Sequence, residues 1–503
     1  MNNSNLVKLL SNYGSKLWGM ISVFIFIPIY IHYLGIENYA IIGFYTLLFG
    51  IISFADAGMS SAIVKEFAIV NSPDYYKFSV LRRLENLYIA ICFLLMFFIF
   101  VFSDLIANKW LSSDQIPTNL LSYYVGLIGC GITMQLLSSL YFGALFGLNE
   151  QVSANLYQIV WNLFKSGFVI IIIAYYNVSI EFFLIWQIFC NVIYVLFLRY
   201  KTIKFIKKSG GVLENPLTRI PPQVLKYIAG MTAIAIISSI NSQADKIISS
   251  SFFSLKIFGY YNMGSVISQI PVIVGAPLVL FIFPLFSKFS ANEFNDKLVV
   301  CFNKICFLLN IIIFPSAILL VIYTSEIMKL WTGNTIEFKI FTSLLIVIRL
   351  LTIGALFLAL QFPLFYLLLS KGKTKYTIYQ GTVQIILGLP LLYFCLKYFG
   401  LKGIGIPWML INLGSLVFLT RIVFKKYMNI DYVVFFKETI LIPLVITLTV
   451  CGLFYGLYLQ LDSFFIIFLL FSGFISLLMN ILYSNYLKGF SLFNISNLYD
   501  FPN

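Results

Sequence analysis

The sequence predicts an all-α polytopic membrane protein with about fourteen transmembrane helices. Three observations predict it. Hydrophobic residues make up 60% of the 503 residues and charged residues 10%, against about 45–50% and about 25% in soluble domains. The apolar residues come in continuous runs of about 20, the length that spans a bilayer as a helix, not in the ten-residue alternation of a barrel. Lys and Arg fall between those runs with a regular asymmetry. So few charges could not cover a soluble surface, which excludes a cytosolic enzyme, a disordered chain and a nucleic-acid binder, despite a net charge of +14.

The runs lie at 13–34, 40–63, 84–103, 119–143, 155–176, 180–198, 227–253, 260–286, 305–323, 341–369, 377–396, 404–424, 439–459 and 464–485. Lys8 precedes the first and Lys16 stands near its start, as in a signal peptide, but no small-x-small cleavage site follows, so it reads as an uncleaved span. With the N-terminus in the cytoplasm, inside segments hold 23 Lys and Arg and outside loops six. That is a strong positive-inside bias, and the even span count puts both termini in the cytoplasm. The basic excess is thus topology, with anionic headgroups as its partner.

The longest inside segment falls between the sixth and seventh spans. The expected organisation is therefore an N-lobe over 1–200 and a basic linker over 201–226, then a C-lobe over 227–425, with two further helices and a tail over 426–503. Two sequence echoes support paired six-helix lobes. Tyr39-Ala40 and Phe258-Gly259 each open a span, 219 residues apart, and Tyr157-Gln158 and Tyr379-Gln380 are 222 apart. Six spans per lobe gives parallel repeats with a cavity between them.

Ionisable residues at membrane depth are costly unless they face a cavity or a partner. Lys165 lies mid-way along the fifth span and Arg349 about two turns into the tenth; both read as cavity-lining cations. Lys246 and Lys16 complete the cationic set, Lys16 being close enough to the cytoplasmic end to snorkel instead. Asp245, beside Lys246 but about 100° away around the helix, is the candidate carboxylate for coupling to H+ or Na+. Asp56, in the cytoplasmic third of the second span, reads as a structural or gating residue. Four intramembrane cations against two acids suit an anionic substrate. Prolines interrupt many spans, with a cluster in the eighth (Pro271, Pro277, Pro284), and read as kinks.

No cofactor is expected. The sole histidine, His32, excludes a histidine-based metal centre or Ser-His triad, and none of the seven cysteines forms a Cys-x-x-Cys. Gly372-Lys373-Thr374 resembles the end of a phosphate-binding loop, but Leu367 stands where that motif needs Gly. Outside loops are too short to hold a glycosyl-transfer site, so no enzyme activity is expected.

The run Leu34-Gly35-x-x-x-Tyr39-Ala40, then Asp56-x-Gly58-Met59 and Lys65-Glu66-x-Ala68, resembles the opening of the bacterial polysaccharide-unit flippases. These belong to the multidrug/oligosaccharidyl-lipid/polysaccharide exporter superfamily. Span number, the basic mid-chain linker and Gly400-Leu401-Lys402-Gly403-Ile404-Gly405 extend the resemblance in outline, and Ala40 stands where Gly is frequent. The resemblance implies a flippase of the bacterial inner membrane. It would move undecaprenyl-diphosphate-linked oligosaccharide to the outer leaflet by alternating access, for O-antigen or capsule, alongside a polymerase and other assembly proteins. A lipid II flippase and a drug or metabolite exporter of the same superfamily stay open as alternatives. An O-antigen polymerase or ligase is disfavoured by the short loops.

Overall fold

The computed structural model describes residues 3–68, 74–113, 115–176, 179–207, 222–276, 278, 286, 295–333, 336–373, 375–428, 431–461 and 464–488. Among these the chain is helical without strands, as the apolar runs predict. Thirteen helices are long and apolar enough to cross a membrane. They match thirteen of the fourteen expected spans. The second expected span is covered by two shorter helices, Ile36–Ile52 and Phe54–Ala68, which break at Ser53.

That break needs no proline. The Ser53 hydroxyl donates back to the Gly50 carbonyl (2.8 Å), competing with the helical ladder, and Gly50 offers little resistance to bending. The Ser53 N–H still reaches Phe49 O (2.8 Å), and Asp56 N reaches Ser53 O (3.1 Å), so the joint keeps its backbone satisfied at membrane depth. The tenth span breaks as well, between Phe338–Leu360 and Phe362–Ser370. There Pro363 removes a donor and crowds the preceding turn. Pro28, Pro315 and Pro390 remain inside continuous helices. Of the eighth-span cluster, Pro277 and Pro284 lie outside the described residues.

The chain forms two compact units, Met1–Asn262 and Met263–Asn503. In the first, the lower half of the broken span (Phe54–Ala68) packs against both the fourth span (Thr118–Gly147) and the seventh (Val224–Phe252). The fourth also packs on the third (Asp74–Val101) and sixth (Ile180–Lys207), and the first helix lies along the fifth span (Gln151–Tyr176). The sequence echo acquires a physical meaning here: a Cβ on Gly259 would meet the Ala40 Cβ at 3.0 Å and the Ile36 carbonyl at 2.9 Å. Two span openings cross where each carries a small residue, the packing that lets membrane helices approach closely. Near the expected outer end, Ser113 donates to Glu37 (2.6 Å) and Trp110 Nε1 to Ser250 (2.8 Å).

In the second unit the tenth span packs on the ninth (Leu298–Ile322) and the twelfth (Gly405–Met428), and the eleventh (Lys375–Gly403) packs on the twelfth. The thirteenth (Tyr432–Leu461) joins the ninth and fourteenth (Phe465–Ser484). Phe302 anchors an aromatic core with Phe286, Phe424 and Phe435. Polar ties fix helix register, as Asn310 Nδ2 to Thr439 O (2.7 Å) and Asn480 Nδ2 to Thr447 Oγ1 (3.1 Å) do. The expected linker 201–226 is helix at both ends, through Lys207 and from Pro222; 208–221 lie outside the described residues.

Candidate functional site

Lys165 is the most constrained of the intramembrane cations. It sits in a π-helical turn, Leu163–Phe168, in the middle of the fifth span. Such turns widen the helix and leave carbonyls poorly aligned with their own ladder. Three consecutive carbonyls here accept side-chain donors from neighbouring spans. Trp186 Nε1 reaches Phe164 O (3.1 Å), Gln187 Nε2 reaches Lys165 O (2.9 Å), and Tyr30 Oη reaches Ser166 O (2.6 Å). The turn is therefore braced from the first and sixth spans, which fixes where the lysine leaves the helix.

The ammonium itself is buried. It donates to Gln135 Oε1 (2.8 Å) and lies over the Trp161 ring at 4.6 Å and the Tyr45 ring at 5.4 Å. Gln135 is in turn held by Tyr45 Oη (2.9 Å), which accepts from Asn191 Nδ2 (3.2 Å). Among the described residues no carboxylate pairs with Lys165. A charge so placed keeps its cation only through a neutral acceptor and two ring faces.

Beside it lies a cavity of about 390 Å³. Lys165 does not itself line it, but its partners Gln135 and Trp161 do. The fourth span adds Ser138 and Ser139, the lower half of the second span adds Asp56, Ser60 and Ser61, and Gln158 and Tyr194 come from the fifth and sixth. Two lining residues carry buried polar atoms with no hydrogen-bond partner among the described residues, Trp161 Nε1 and Tyr194 Oη. Their rings stack at 4.6 Å. An orphaned donor in a polar hollow is a place for water or a ligand to bind. Asp56 accepts a short hydrogen bond from Tyr88. That partner is a phenol of the third span, not a loop cation, and Asp56 also forms part of the cavity wall.

The remaining candidates are elsewhere. Lys246 and Asp245 lie on the seventh span; Asp245 accepts a short hydrogen bond from the buried Tyr261, and neither lines this cavity. Arg349 belongs to the second unit, where its Nε donates to Val321 O (3.1 Å). The backbone of Lys16 is helical, but its side chain lies outside the described residues. Gln135, Trp161, Tyr194 and the serines were not singled out in the sequence. The available signal was Gln135-x-x-Ser138-Ser139, three polar residues on one helical face of an otherwise apolar span.

A charge cluster ties three of these spans. The buried Glu85 of the third span accepts from Arg199 Nε of the sixth (2.6 Å) and Tyr141 Oη of the fourth (2.8 Å), with Arg82 at 3.4 Å. Removing the carboxylate leaves a guanidinium and a buried phenol without their acceptor, at a cost of about 1–3 kcal/mol. Glu85→Ala should therefore lower the thermal unfolding temperature of the purified protein. An unchanged unfolding temperature would show that the cluster contributes nothing to stability.

Comparison with known proteins extends this picture. Residues 6–290 match the family described as polysaccharide biosynthesis protein. A putative O-antigen transporter of Shigella flexneri is 23% identical over 379 residues, covering 75% of this chain and 87% of its own. Among solved structures, the lipid II flippase MurJ in an inward closed conformation superposes with a TM-score of 0.73 at 16% identity, over 95% of this chain and 99% of that one. An inward-facing multidrug resistance MATE family transporter of the MOP superfamily gives 0.62 at 15% identity, over 81% and 94%. The chain is thus a multi-pass membrane protein with the fold shared by these transporters, and it belongs to the polysaccharide biosynthesis protein family.

Proposed function

We infer that this protein is a flippase for undecaprenyl-diphosphate-linked oligosaccharide units, carrying them from the inner to the outer leaflet of the bacterial cytoplasmic membrane. One observation carries the reading: a polar cavity with orphaned donors stands beside a buried lysine that has no carboxylate partner among the described residues, inside a membrane protein of the polysaccharide biosynthesis family. A diphosphate with sugars cannot enter hydrocarbon, because an isolated charge there costs on the order of tens of kcal/mol by Born estimates. Amide and hydroxyl side chains such as Gln135, Ser138, Ser60 and Gln158 offer the sugars the hydrogen bonds they lose from water. The Lys165 ammonium offers the diphosphate a charge on displacement of Gln135. The polyprenyl chain needs no such replacement and stays in lipid. Alternating access would move the unit without covalent chemistry, so the protein acts as a transporter for a separate polymerase. Both the O-antigen transporter name of the Shigella relative and the sequence resemblance support this substrate class.

The test is complementation in a strain lacking its own repeat-unit flippase. The expected result is restored surface polymer, together with loss of the lipid-linked units that accumulate in the inner leaflet. Rescue of a strain depleted of its lipid II flippase, without restored surface polymer, would replace this substrate by lipid II. New glycosidic bonds formed by the purified protein alone would replace the transport reading by a polymerase.

A further inference from the structure

The second unit carries a cleft of about 880 Å³ between the eleventh and twelfth spans. Lys375 enters it from the first turn of the eleventh, and Arg421, Lys425 and Lys426 from the last turns of the twelfth. Among the described residues no carboxylate lines it and none of the four cations forms an ion pair. The carboxylate that follows in sequence, Asp431, is committed to the next helix, where it accepts from the Val433 and Val434 N–H groups (2.8 and 3.4 Å).

The twelfth span ends in a π-helical turn, Phe424–Met428. A turn of that width brings residues four and five apart onto one side, so Arg421 shares a face with Lys425 and Lys426. Like charges at this spacing repel one another, and the first turn of the eleventh helix adds both Lys375 and the positive end of its dipole. An anion is the missing component.

The rest of the wall is aromatic. Lys375 and Lys426 both lie over the Tyr376 ring, at 5.3 and 5.7 Å. Tyr379 and Phe418 sit 5.8 Å apart, and Tyr379 is exposed. Basic residues with an exposed aromatic rim, at the end of two spans that the charge bias assigns to the cytoplasm, are the composition of the headgroup level. A soluble anion has no use for that rim, whereas a lipid does.

We propose that this cleft binds a lipid carrying two phosphate groups, with the phosphates among the four cations and the first chain carbons against Tyr379 and Phe418. Two sources share this chemistry: cardiolipin of the bulk membrane, and a polyprenyl diphosphate carrier. The cleft shares no residue with the Lys165 cavity, so the proposal does not rest on the transport reading.

Native mass spectrometry of the purified full-length protein, titrated separately with cardiolipin, undecaprenyl diphosphate, phosphatidylglycerol and inorganic phosphate, tests it. Cardiolipin or undecaprenyl diphosphate is expected to bind more tightly than phosphatidylglycerol, and the tighter of the two identifies the source. The double variant Arg421→Gln/Lys425→Gln should bind that lipid at least about tenfold more weakly. Arg421→Lys should retain most of the affinity, which separates loss of charge from misfolding. Lys397→Gln, at the opposite end of the eleventh span, should leave the affinity unchanged. Equal affinity of the double variant and the wild type would overturn the proposal, as would inorganic phosphate displacing the lipid at equal concentration.

Discussion

Replacement of Lys165 by methionine is expected to abolish most transport while leaving the protein at least as stable as the wild type. Methionine matches the length of the lysine stem and removes a desolvated charge that no carboxylate compensates among the described residues. Substituting buried charge by well-packed apolar volume is frequently neutral or stabilising. Nor does the change orphan Gln135, because Tyr45 Oη still donates to the same oxygen at 2.9 Å. Function should move the other way. A hydrogen bond from an ammonium to a charged ligand contributes about 1.5–3 kcal/mol, which makes the loss roughly 10- to 100-fold. Lys165→Arg keeps the charge and should retain more activity than Lys165→Met. Complementation, with membrane abundance and unfolding temperature measured on the same variants, checks all three. Low abundance with normal transport per molecule would assign Lys165 a structural role instead.

Gly58→Ala should be among the most damaging single-atom additions to the first unit. A Cβ at that position would lie 2.5 Å from the backbone carbonyl of Ile228 and hard against the Thr232 hydroxyl. Trimming Thr232 cannot relieve a clash with backbone, so the lower half of the second span must shift away from the seventh. Overpacking of this kind costs about 1–3 kcal/mol, and it displaces the helix that carries Asp56, Ser60 and Ser61. Gly414→Ala is the matched control, since nothing lies within 4 Å of the added atom. The expected result is a lowered unfolding temperature and reduced transport for Gly58→Ala only. Equal behaviour of the two variants would show that the helix pair tolerates the shift.

The span count was legible because a bilayer imposes one length and one polarity on every element, and thirteen of fourteen runs needed no tertiary knowledge. The exception turns on Gly50 and Ser53, which in sequence look like any small residues of a span; the joint shows only in the backbone, where Asp56 N–H turns to the Ser53 carbonyl three residues back. Charged candidates were visible because their burial is expensive, so Lys165 and Asp56 stood out. Gln135, Trp161 and Tyr194 did not, since an amide or an indole in a span costs little and carries no comparable signal. Partners were hidden for a different reason. Tyr88 is 32 residues from Asp56 and Tyr261 is 16 from Asp245, distances that only helix packing closes. Gly58 stood in the quoted motif, and its meaning, a seat for the seventh span, is geometric.

The joint at Ser53 also sets a lever. Beyond it runs a rigid arm of 15 residues, about 22 Å long at 1.5 Å per residue. A tilt of about 10° around Ser53 would carry Val64, about 16 Å out, through roughly 3 Å, but Asp56, about 4.5 Å out, through less than about 1 Å. Displacement grows along the arm, so one end of the cavity would widen by about the diameter of a water molecule while the Tyr88 contact near the fulcrum holds. A pivot within the second span, with its backbone hydrogen bonds already met, would thus turn a small angular change into an asymmetric opening.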